Sequence, residues 1–355
     1  MRVKLSSARG EARLSSFRCL LGVFGLGVLL AAPVAPASAA AAVTDLGVLP
    51  GDRYAGAAAI NDAGIVVGTS ALDGTAEHAV RWDADGTVIG LRHPVEAAIS
   101  EALGIDADGT VVGYIASDDS SPTRAVRWSS EGEITTLPAL PGDAWSEATA
   151  ISDNGVAVGY SSRDRGERHH AVRWDAQGNP TDLGIPPGDI GSEALAVNTD
   201  GVIVGYSWGS DFHTRAVRWD PNGQITSPAT GSTAFGINAI GEIAGSASAP
   251  GEPLVHAARW NPKGEPTLLP VPPDQHVSLA HAINDTGSAV GYTAAEGRGI
   301  THAALWTEAG AFTALPDLPD ADGPTQATAI NHSGTIAGTA TGSDGYHHAV
   351  RWSVH

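Results

Sequence analysis

The stretch that decides the fold consists of GYS at residues 159–161, a short polar loop, and HAVRWD at residues 170–175. Variants of the HAVRW phrase recur seven times after residue 43. Their tryptophans are spaced by 46, 46, 45, 41, 46 and 46 residues and are Trp82, Trp128, Trp174, Trp219, Trp260, Trp306 and Trp352. A second series of the Ile-Asn-Asp type begins 22 or 23 residues before each tryptophan. Two series that keep one period over seven copies establish an internal repeat.

Each copy contains four strand-like pieces. In the third copy they are predicted at residues 147–151, 156–161, 170–174 and 180–183. Asp or Asn followed closely by Gly separates the first piece from the second and the third from the fourth, which is the chemistry of tight hairpin turns. Four short antiparallel strands every 45 or so residues are typical of a propeller blade. The sequence therefore predicts an all-β, seven-bladed β-propeller with four antiparallel strands per blade.

The two ends of the repeat region predict how the ring closes. The seventh copy lacks its fourth strand, while TDLGVLPGD at residues 44–52 nearly duplicates TDLGIPPGD at residues 181–189. We expect the N-terminal strand to complete the last blade, which gives a single domain over residues 40–355 and removes exposed sheet edges. The small-residue EATAI pieces then form the innermost strands. Both tight turns of each blade lie at one end of the ring, and the longer, variable loops lie at the other.

The first 39 residues are predicted to be a secretory signal peptide. A basic start is followed by a twelve-residue apolar segment at residues 19–30 and by the small residues Ala-Ser-Ala at residues 37–39. The apolar segment is short for a membrane span, although an N-terminal membrane anchor is the alternative. The only cysteine, Cys19, lies in this segment. We expect a secreted, extracellular monomer with no membrane span in the mature chain.

Composition and motifs exclude several classes of function. The net charge is −19 and the chain has only two lysines, which disfavours nucleic-acid binding. The sequence contains no HExxH or P-loop motif, and it predicts no catalytic residue, cofactor or metal. Acidic turns such as DADG at residues 83–86 resemble short calcium loops, but hairpin chemistry explains them.

The repeated histidine and arginine of the HAVRW phrase are interpreted as structural. A residue that recurs in nearly every blade is expected to stabilise the blade, whereas a catalytic or binding site is expected to use residues that differ between blades. We expect the arginines to pair with carboxylates or carbonyls between blades, and the ring of tryptophans to pack there.

Two further tryptophans break the symmetry. Trp145 precedes the first strand of copy three, and Trp208 lies in the long loop of copy four, followed by Phe212 and His213. All four are predicted on the variable-loop end of neighbouring blades. Aromatic side chains there suit stacking on a sugar or on a protein partner. These four residues are the candidate ligand-binding residues; the alternative is that they cover their own loops.

The repeat resembles a known family. The pattern Ile-Asn-Asp-x-Gly-x-Val-Val-Gly, followed by His-Ala-Val-Arg-Trp, is similar to the HAF repeat of bacterial extracellular proteins. Val or Ala replaces the Phe of that repeat at Val80, Val172, Ala258, Ala304 and Val350. The resemblance covers residues 44–355 and implies export and a repeat architecture. The family has no established activity, so it implies no catalytic residue.

The sequence favours a secreted binding or interaction module for a carbohydrate or a protein, acting through its variable loops. One alternative is a propeller glycosidase or lyase acting on extracellular polysaccharide, and another is a purely structural surface protein. Carboxylates and histidines clustered in a central pocket favour the enzyme. A shallow aromatic face without such a cluster favours binding.

Overall fold

The computed structural model describes residues 41–72, 77–118, 120–164, 168–211, 213–227, 232–248, 254–295 and 300–354. Within these ranges the chain forms 28 strands in seven four-stranded antiparallel sheets, arranged as the blades of a ring. The described residues contain no helix, and so none that is long and apolar enough to cross a membrane. The predicted seven-bladed β-propeller is confirmed. The predicted signal peptide lies outside the described residues.

In the first six blades the strands run from the axis outward in chain order, and in the seventh the N-terminal strand is the outermost. The innermost strands are β2 (Tyr54–Ile60), β6 (Ile99–Ile105), β10 (Trp145–Ile151), β14 (Gly191–Val197), β18 (Ser232–Ile237), β22 (Val277–Ile283) and β26 (Thr325–Ile330). The second strands are β3 (Val66–Ala71), β7 (Val111–Ala116), β11 (Ala157–Ser162), β15 (Ile203–Trp208), β19 (Ile243–Ser248), β23 (Ala289–Ala294) and β27 (Ile336–Thr341). The third strands are β4 (Glu77–Trp82), β8 (Arg124–Trp128), β12 (His169–Trp174), β16 (Thr214–Trp219), β20 (Val255–Trp260), β24 (Thr301–Trp306) and β28 (His347–Ser353). The outermost strands are β5 (Val88–Gly90), β9 (Ile134–Thr136), β13 (Pro180–Asp182), β17 (Ile225–Thr226), β21 (Pro266–Leu268), β25 (Phe312–Ala314) and, for the seventh blade, β1 (Ala42–Asp45).

The N-terminal strand closes the ring as expected. Strand β1 pairs antiparallel with β28, so that the seventh sheet has the order β1-β28-β27-β26. Just after β1, Leu46 is buried and its backbone N–H donates to the carbonyl of Ala349 at 2.9 Å. His348 of β28 contacts the carboxylate of Asp45 at 2.7 Å. The strand is therefore held by backbone, apolar and polar contacts together.

The predicted strand limits are correct to within one or two residues. In the third blade the structure extends the innermost strand back to Trp145 and the third strand back to His169. The second strand begins and ends one residue later than expected, and the fourth ends one residue earlier, at Asp182. The placement of Trp145 and Trp208 in loops was wrong, because each is the terminal residue of a strand.

The seven repeated tryptophans pack between blades. Each is at most 1% exposed, and Trp219 packs with Val158 and Ala171 of the preceding blade. Five of them also donate their indole N–H to a backbone carbonyl of the connection that enters the blade. These bonds join Trp82 to Gly47 (3.1 Å), Trp128 to Arg92 (2.6 Å), Trp174 to Pro138 (2.7 Å), Trp306 to Pro270 (2.7 Å) and Trp352 to Pro316 (2.7 Å). The regular spacing of the tryptophans in the sequence thus reflects the same packing and hydrogen bonding at successive blades.

The Ile-Asn-Asp series forms a second ring, nearer the axis. Five asparagines donate their side-chain N–H to the backbone carbonyl of the equivalent residue in the next blade. These bonds run from Asn61 to Asp106, Asn198 to Asn238, Asn238 to Asn284, Asn284 to Asn331 and Asn331 to Asn61, at 3.0–3.2 Å. The last of them crosses the closure between the seventh blade and the first. The asparagines thus tie neighbouring blades together.

The arginines of the third strands also link blades. Arg127 donates to the carbonyls of Ala176 and Gly155 at 2.8 and 2.9 Å, and both acceptors belong to turns of the next blade. Arg259 contacts Gly287 and the turn after β24 in the same way. The structure therefore places these arginines against carbonyls between blades, as the sequence predicts.

The two ends of the ring differ. At one end lie the tight turns, whose glycines take positive φ, for example +91° at Gly86 and +82° at Gly109. Carboxylates in these turns accept backbone N–H groups: Asp106 accepts from Thr110 at 2.8 Å. The other end carries the connections between the second and third strands and between consecutive blades. We call this end the variable-loop face.

Candidate functional site

The two extra tryptophans lie on neighbouring blades at the variable-loop face. Trp145 begins the innermost strand β10 of the third blade, where it pairs with Ser162 across the sheet. Trp208 ends β15 of the fourth blade. Both side chains are half-buried, unlike the fully buried tryptophans between blades. The structure therefore keeps both indoles partly accessible at the predicted end of the ring.

Trp208 is held in place by its neighbours. Its ring meets His169 edge-on at 5.6 Å and lies 5.7 Å from the ring of Tyr206. Across the sheet it pairs with Gly191, and a Cβ atom added there would stand 2.2 Å from Cζ2 of the indole. The indole thus lies against Gly191, where a side chain would clash with it. Trp208 is an anchored aromatic surface on the blade.

The other two predicted residues are placed differently. His213 is exposed, its backbone N–H donates to the Asp211 carboxylate at 3.2 Å, and its carbonyl accepts Arg215 at 3.0 Å. Arg215 also pairs with Asp189 at 3.1 Å, which ties the loop to the blade entry. Phe212 lies outside the described residues.

The sequence analysis missed a polar cluster beside Trp208. Nδ1 of His169, on β12 of the third blade, lies 2.5 Å from Oε1 of Glu193 on β14 of the fourth. The other carboxylate oxygen of Glu193 accepts the Tyr206 hydroxyl at 2.6 Å. The His169 ring also stacks on Tyr160 with the centroids 4.2 Å apart and the planes 5° from parallel. An aromatic and polar cluster thus spans the interface between blades three and four.

This cluster belongs to a set of equivalent positions around the face. At each interface between two blades, a residue at the start of the third strand of one blade faces a residue near the start of the innermost strand of the next blade. Carboxylates occupy this set in the first four blades: Glu77 and Glu101, then Glu147, then Glu193. The later interfaces carry no carboxylate in this set; Thr214 stands with Thr233 and Thr301 with Gln326, each pair 3.4 Å apart. We call Glu77, Glu101, Glu147 and Glu193 the acidic arc.

The acidic arc holds a proton at neutral pH. Burial, together with the Glu77 carboxyl within hydrogen-bonding reach, raises the pKa of Glu101 to about 8, although the Tyr114 hydroxyl that it accepts acts in the opposite direction. Burial also raises the pKa of Glu147. Burial and the nearby carboxylates raise the pKa of Tyr114, Tyr160 and Tyr206, so these phenols remain hydrogen-bond donors. Glu101 is therefore protonated when most carboxyl groups of the protein are ionised.

A signal for this cluster was present in the sequence. Ser-Glu-Ala follows the first residue of the innermost strand only in copies two, three and four, and Gly-Tyr stands in the second strand of these copies and of copy six. The pairs Glu101–Tyr114, Glu147–Tyr160 and Glu193–Tyr206 are direct partners across the sheet. His169 and Glu193 belong to neighbouring blades. Their contact depends on how the two blades face each other, which the sequence does not show.

Among the described residues, no group of three or more His, Cys, Asp or Glu side chains is arranged to hold a metal ion. In the arc, Glu193 is engaged by His169 and Tyr206, and Glu101 by Tyr114. What the described cluster offers is an aromatic surface with hydrogen-bond acceptors and donors at its edge.

Comparison with known proteins bears on the fold. No protein-family model matches the chain, and no curated protein matches it in sequence. Among solved structures, it is similar to virginiamycin B lyase from Staphylococcus aureus, with 14% identity and a TM-score of 0.53 over 89% of this chain and 99% of that one. It is also similar to an oligogalacturonate lyase in complex with manganese, with 12% identity and a TM-score of 0.58 over 88% of this chain and 93% of that one. A puromycin hydrolase complexed with PGG gives 13% identity and a TM-score of 0.56 over 84% of this chain, which spans only 54% of that protein.

At these identities the likeness concerns the fold alone. The similar structures are propeller proteins that include lyases and a hydrolase. They agree with the propeller fold described above.

Proposed function

We propose that the protein is an exported binding module that takes a glycan through the variable-loop face at blades three and four. The observation that carries the proposal is the arrangement of Trp208. Its indole is half-buried over Gly191 and stands beside the Glu193–His169 pair.

This arrangement matches the chemistry of a sugar ring. A sugar presents an apolar face of C–H groups, which stacks on an aromatic ring, and a rim of hydroxyls, which need hydrogen-bond partners. Each oxygen of the Glu193 carboxylate has two lone pairs and makes one described hydrogen bond. Each oxygen therefore keeps a lone pair that can accept a hydrogen bond from a ligand hydroxyl.

A protein ligand is the other partner class that the same face suits. A half-buried tryptophan ringed by polar groups resembles the anchors that dominate protein interfaces. The acidic arc and the net charge of −19 disfavour nucleic acid. Export rests on the signal-peptide prediction for residues 1–39 and on the HAF-repeat resemblance. The monomeric state is part of the same proposal.

A second candidate function is cleavage of extracellular polysaccharide by a glycosidase or lyase activity. It is favoured by Glu101, a carboxyl group with its pKa near 8 and hence a proton to donate at neutral pH. Two features argue against it. Glu77 and Glu101 lie within hydrogen-bonding reach of each other, whereas the paired carboxyls of glycosidases are about 5 Å or more apart. The arc residues also do not line the central cavity described below.

A glycan array distinguishes these functions. The purified protein, Trp208→Ala, Trp145→Ala and Tyr346→Ala are compared on the same array. Tyr346 is the matched control, because it packs edge-on against Tyr54 at the interface of blades seven and one, whereas Trp208 lies on blade four. We expect Trp208→Ala to lose the glycan signals and Tyr346→Ala to keep them. Unaltered binding by Trp208→Ala refutes the proposed site.

Incubation of the bound glycans with the wild-type protein tests the second candidate. Release of new reducing ends or unsaturated products, abolished in Glu101→Gln, establishes the enzyme. Binding without product establishes the binding module.

A further inference from the structure

The axis of the propeller contains a cavity apart from the variable-loop cluster. All seven innermost strands contribute to it, and its volume is about 400 Å³. Pockets for small molecules have about 300–1,000 Å³, so this cavity has the size of a ligand site. A ring of branched apolar side chains, which includes Ile105, Ile151 and Ile283, separates it from a polar opening at the tight-turn end. We call this cavity the axial chamber.

The lining of the axial chamber comes from a repeated irregularity. Each innermost strand has a β-bulge at the same position, and the extra residue of every bulge lines the chamber. Bulges re-aim a side chain without breaking the sheet. The backbone is thus sevenfold, while the side chains it presents differ from blade to blade.

Most of these side chains are apolar or already satisfied. Leu103, Leu195 and Phe235 supply a large apolar surface. The hydroxyls of Thr149 and Thr328 each donate at 2.8 Å to a backbone carbonyl of the next blade. Neither threonine needs a ligand to satisfy its hydroxyl hydrogen.

His281 is the exception. Its Nδ1 lies 3.0 Å from the carbonyl of Ala327 in the next blade, and a carbonyl only accepts, so Nδ1 carries the hydrogen. Burial lowers the pKa of His281, which keeps the ring neutral and leaves a lone pair on Nε2. Nε2 has no hydrogen-bond partner among the described residues, although the ring is packed edge-on by Phe235 at 5.5 Å and by Tyr292 at 5.4 Å.

The geometry points to the axial chamber as a binding site for a small neutral aromatic molecule with one hydrogen-bond donor, a phenol being the simplest member of the class. The donor bonds to Nε2 of His281, and the ring packs against Phe235 and the two leucines. An anion is excluded because a neutral imidazole cannot offset the desolvation of its charge. The site is independent of the proposed glycan site, since it uses other residues of the innermost strands.

Titration calorimetry with three probes tests this site. Phenol, anisole and benzoate share a ring, but anisole lacks the donor and benzoate carries a charge. We expect phenol to bind the wild-type protein about tenfold or more tightly than anisole, the ratio that a hydrogen bond of about 1.4 kcal/mol gives. Benzoate should not bind.

Two variants locate the binding. His281→Phe removes the acceptor but keeps an aromatic ring, and it should bring phenol down to the affinity of anisole. Ala58→Leu fills the chamber at the bulge of the first blade without changing His281, and it should weaken phenol and anisole together. Circular dichroism checks that both variants fold. If His281→Phe does not fold, the inference is tested by the affinities of the wild-type protein for the three probes and by the effect of Ala58→Leu on phenol and anisole binding. Equal binding of phenol and anisole, no binding of phenol, or binding unaffected by Ala58→Leu overturns the inference.

Discussion

The packing role of the repeated tryptophans predicts a measurable difference between two of them. Trp174 and Trp219 occupy equivalent positions in successive blades, and both are fully buried. The indole N–H of Trp174 donates to the carbonyl of Pro138 at 2.7 Å. The indole N–H of Trp219 has no partner among the described residues. Replacing each by phenylalanine therefore removes a hydrogen bond at one position only.

The magnitudes follow from this difference. Both substitutions remove the same buried surface and leave the same small cavity, which costs about 1–2 kcal/mol in each case. Trp174→Phe also loses a hydrogen bond worth about 1 kcal/mol, and more, up to about 3 kcal/mol, if the Pro138 carbonyl is left unpaired. We expect Trp174→Phe to be the more destabilising by about 1–3 kcal/mol.

Urea denaturation followed by far-ultraviolet circular dichroism provides the assay, with thermal melting as a second measure. Trp128→Phe serves as a replicate, because Trp128 donates to Arg92 at 2.6 Å. Trp128→Phe and Trp174→Phe should lower the urea midpoint more than Trp219→Phe does. Equal losses at all three positions, or the largest loss at Trp219, refute the reasoning.

Three further predictions test closure, the acidic arc and the anchoring of Trp208. Deleting residues 44–50 removes the second half of β1, the buried Leu46 and the Gly47 carbonyl that Trp82 donates to, so the melting temperature should fall sharply; an unchanged value contradicts a closed ring. The pKa of Glu101 is raised to about 8, so the stability from its neutral form is complete below its unfolded pKa of about 4.3 and is lost as the pH rises through 8. The melting temperature of the wild type should decline over that range more steeply than that of Glu101→Gln, and parallel profiles contradict the assignment. Gly191→Ala places a Cβ 2.2 Å from the Trp208 ring, so it should displace the indole and reduce glycan binding as Trp208→Ala does; retained binding contradicts the anchored geometry.

The sequence predicted the architecture because the architecture is periodic. The tryptophan spacing reflects packing that repeats at every interface, and the duplicated TDLG stretch at residues 44–47 predicted β1 as the missing strand. Strand limits were less accurate. Trp145 and Trp208 extend their strands because cross-strand pairing continues past the repeat motif.

The sequence indicated fewer features of the candidate site than of the fold. Trp208 was chosen as a candidate because it breaks the repeat. Glu193 and His169 were missed because each follows the pattern of its own strand, and their contact depends on how two blades face each other. His281 lines the axial chamber because of a β-bulge, and the alternation of side chains along a regular strand does not predict a bulge.

We propose that the ligand binds at Trp208 on the variable-loop face. Labelling with 5-fluorotryptophan gives nine fluorine signals, seven of them from indoles buried between blades. Titration with the strongest glycan of the array should shift the Trp208 signal, assigned through Trp208→Phe, and leave the seven buried signals in place. Saturable glycan binding that leaves the Trp208 signal unmoved contradicts the claim.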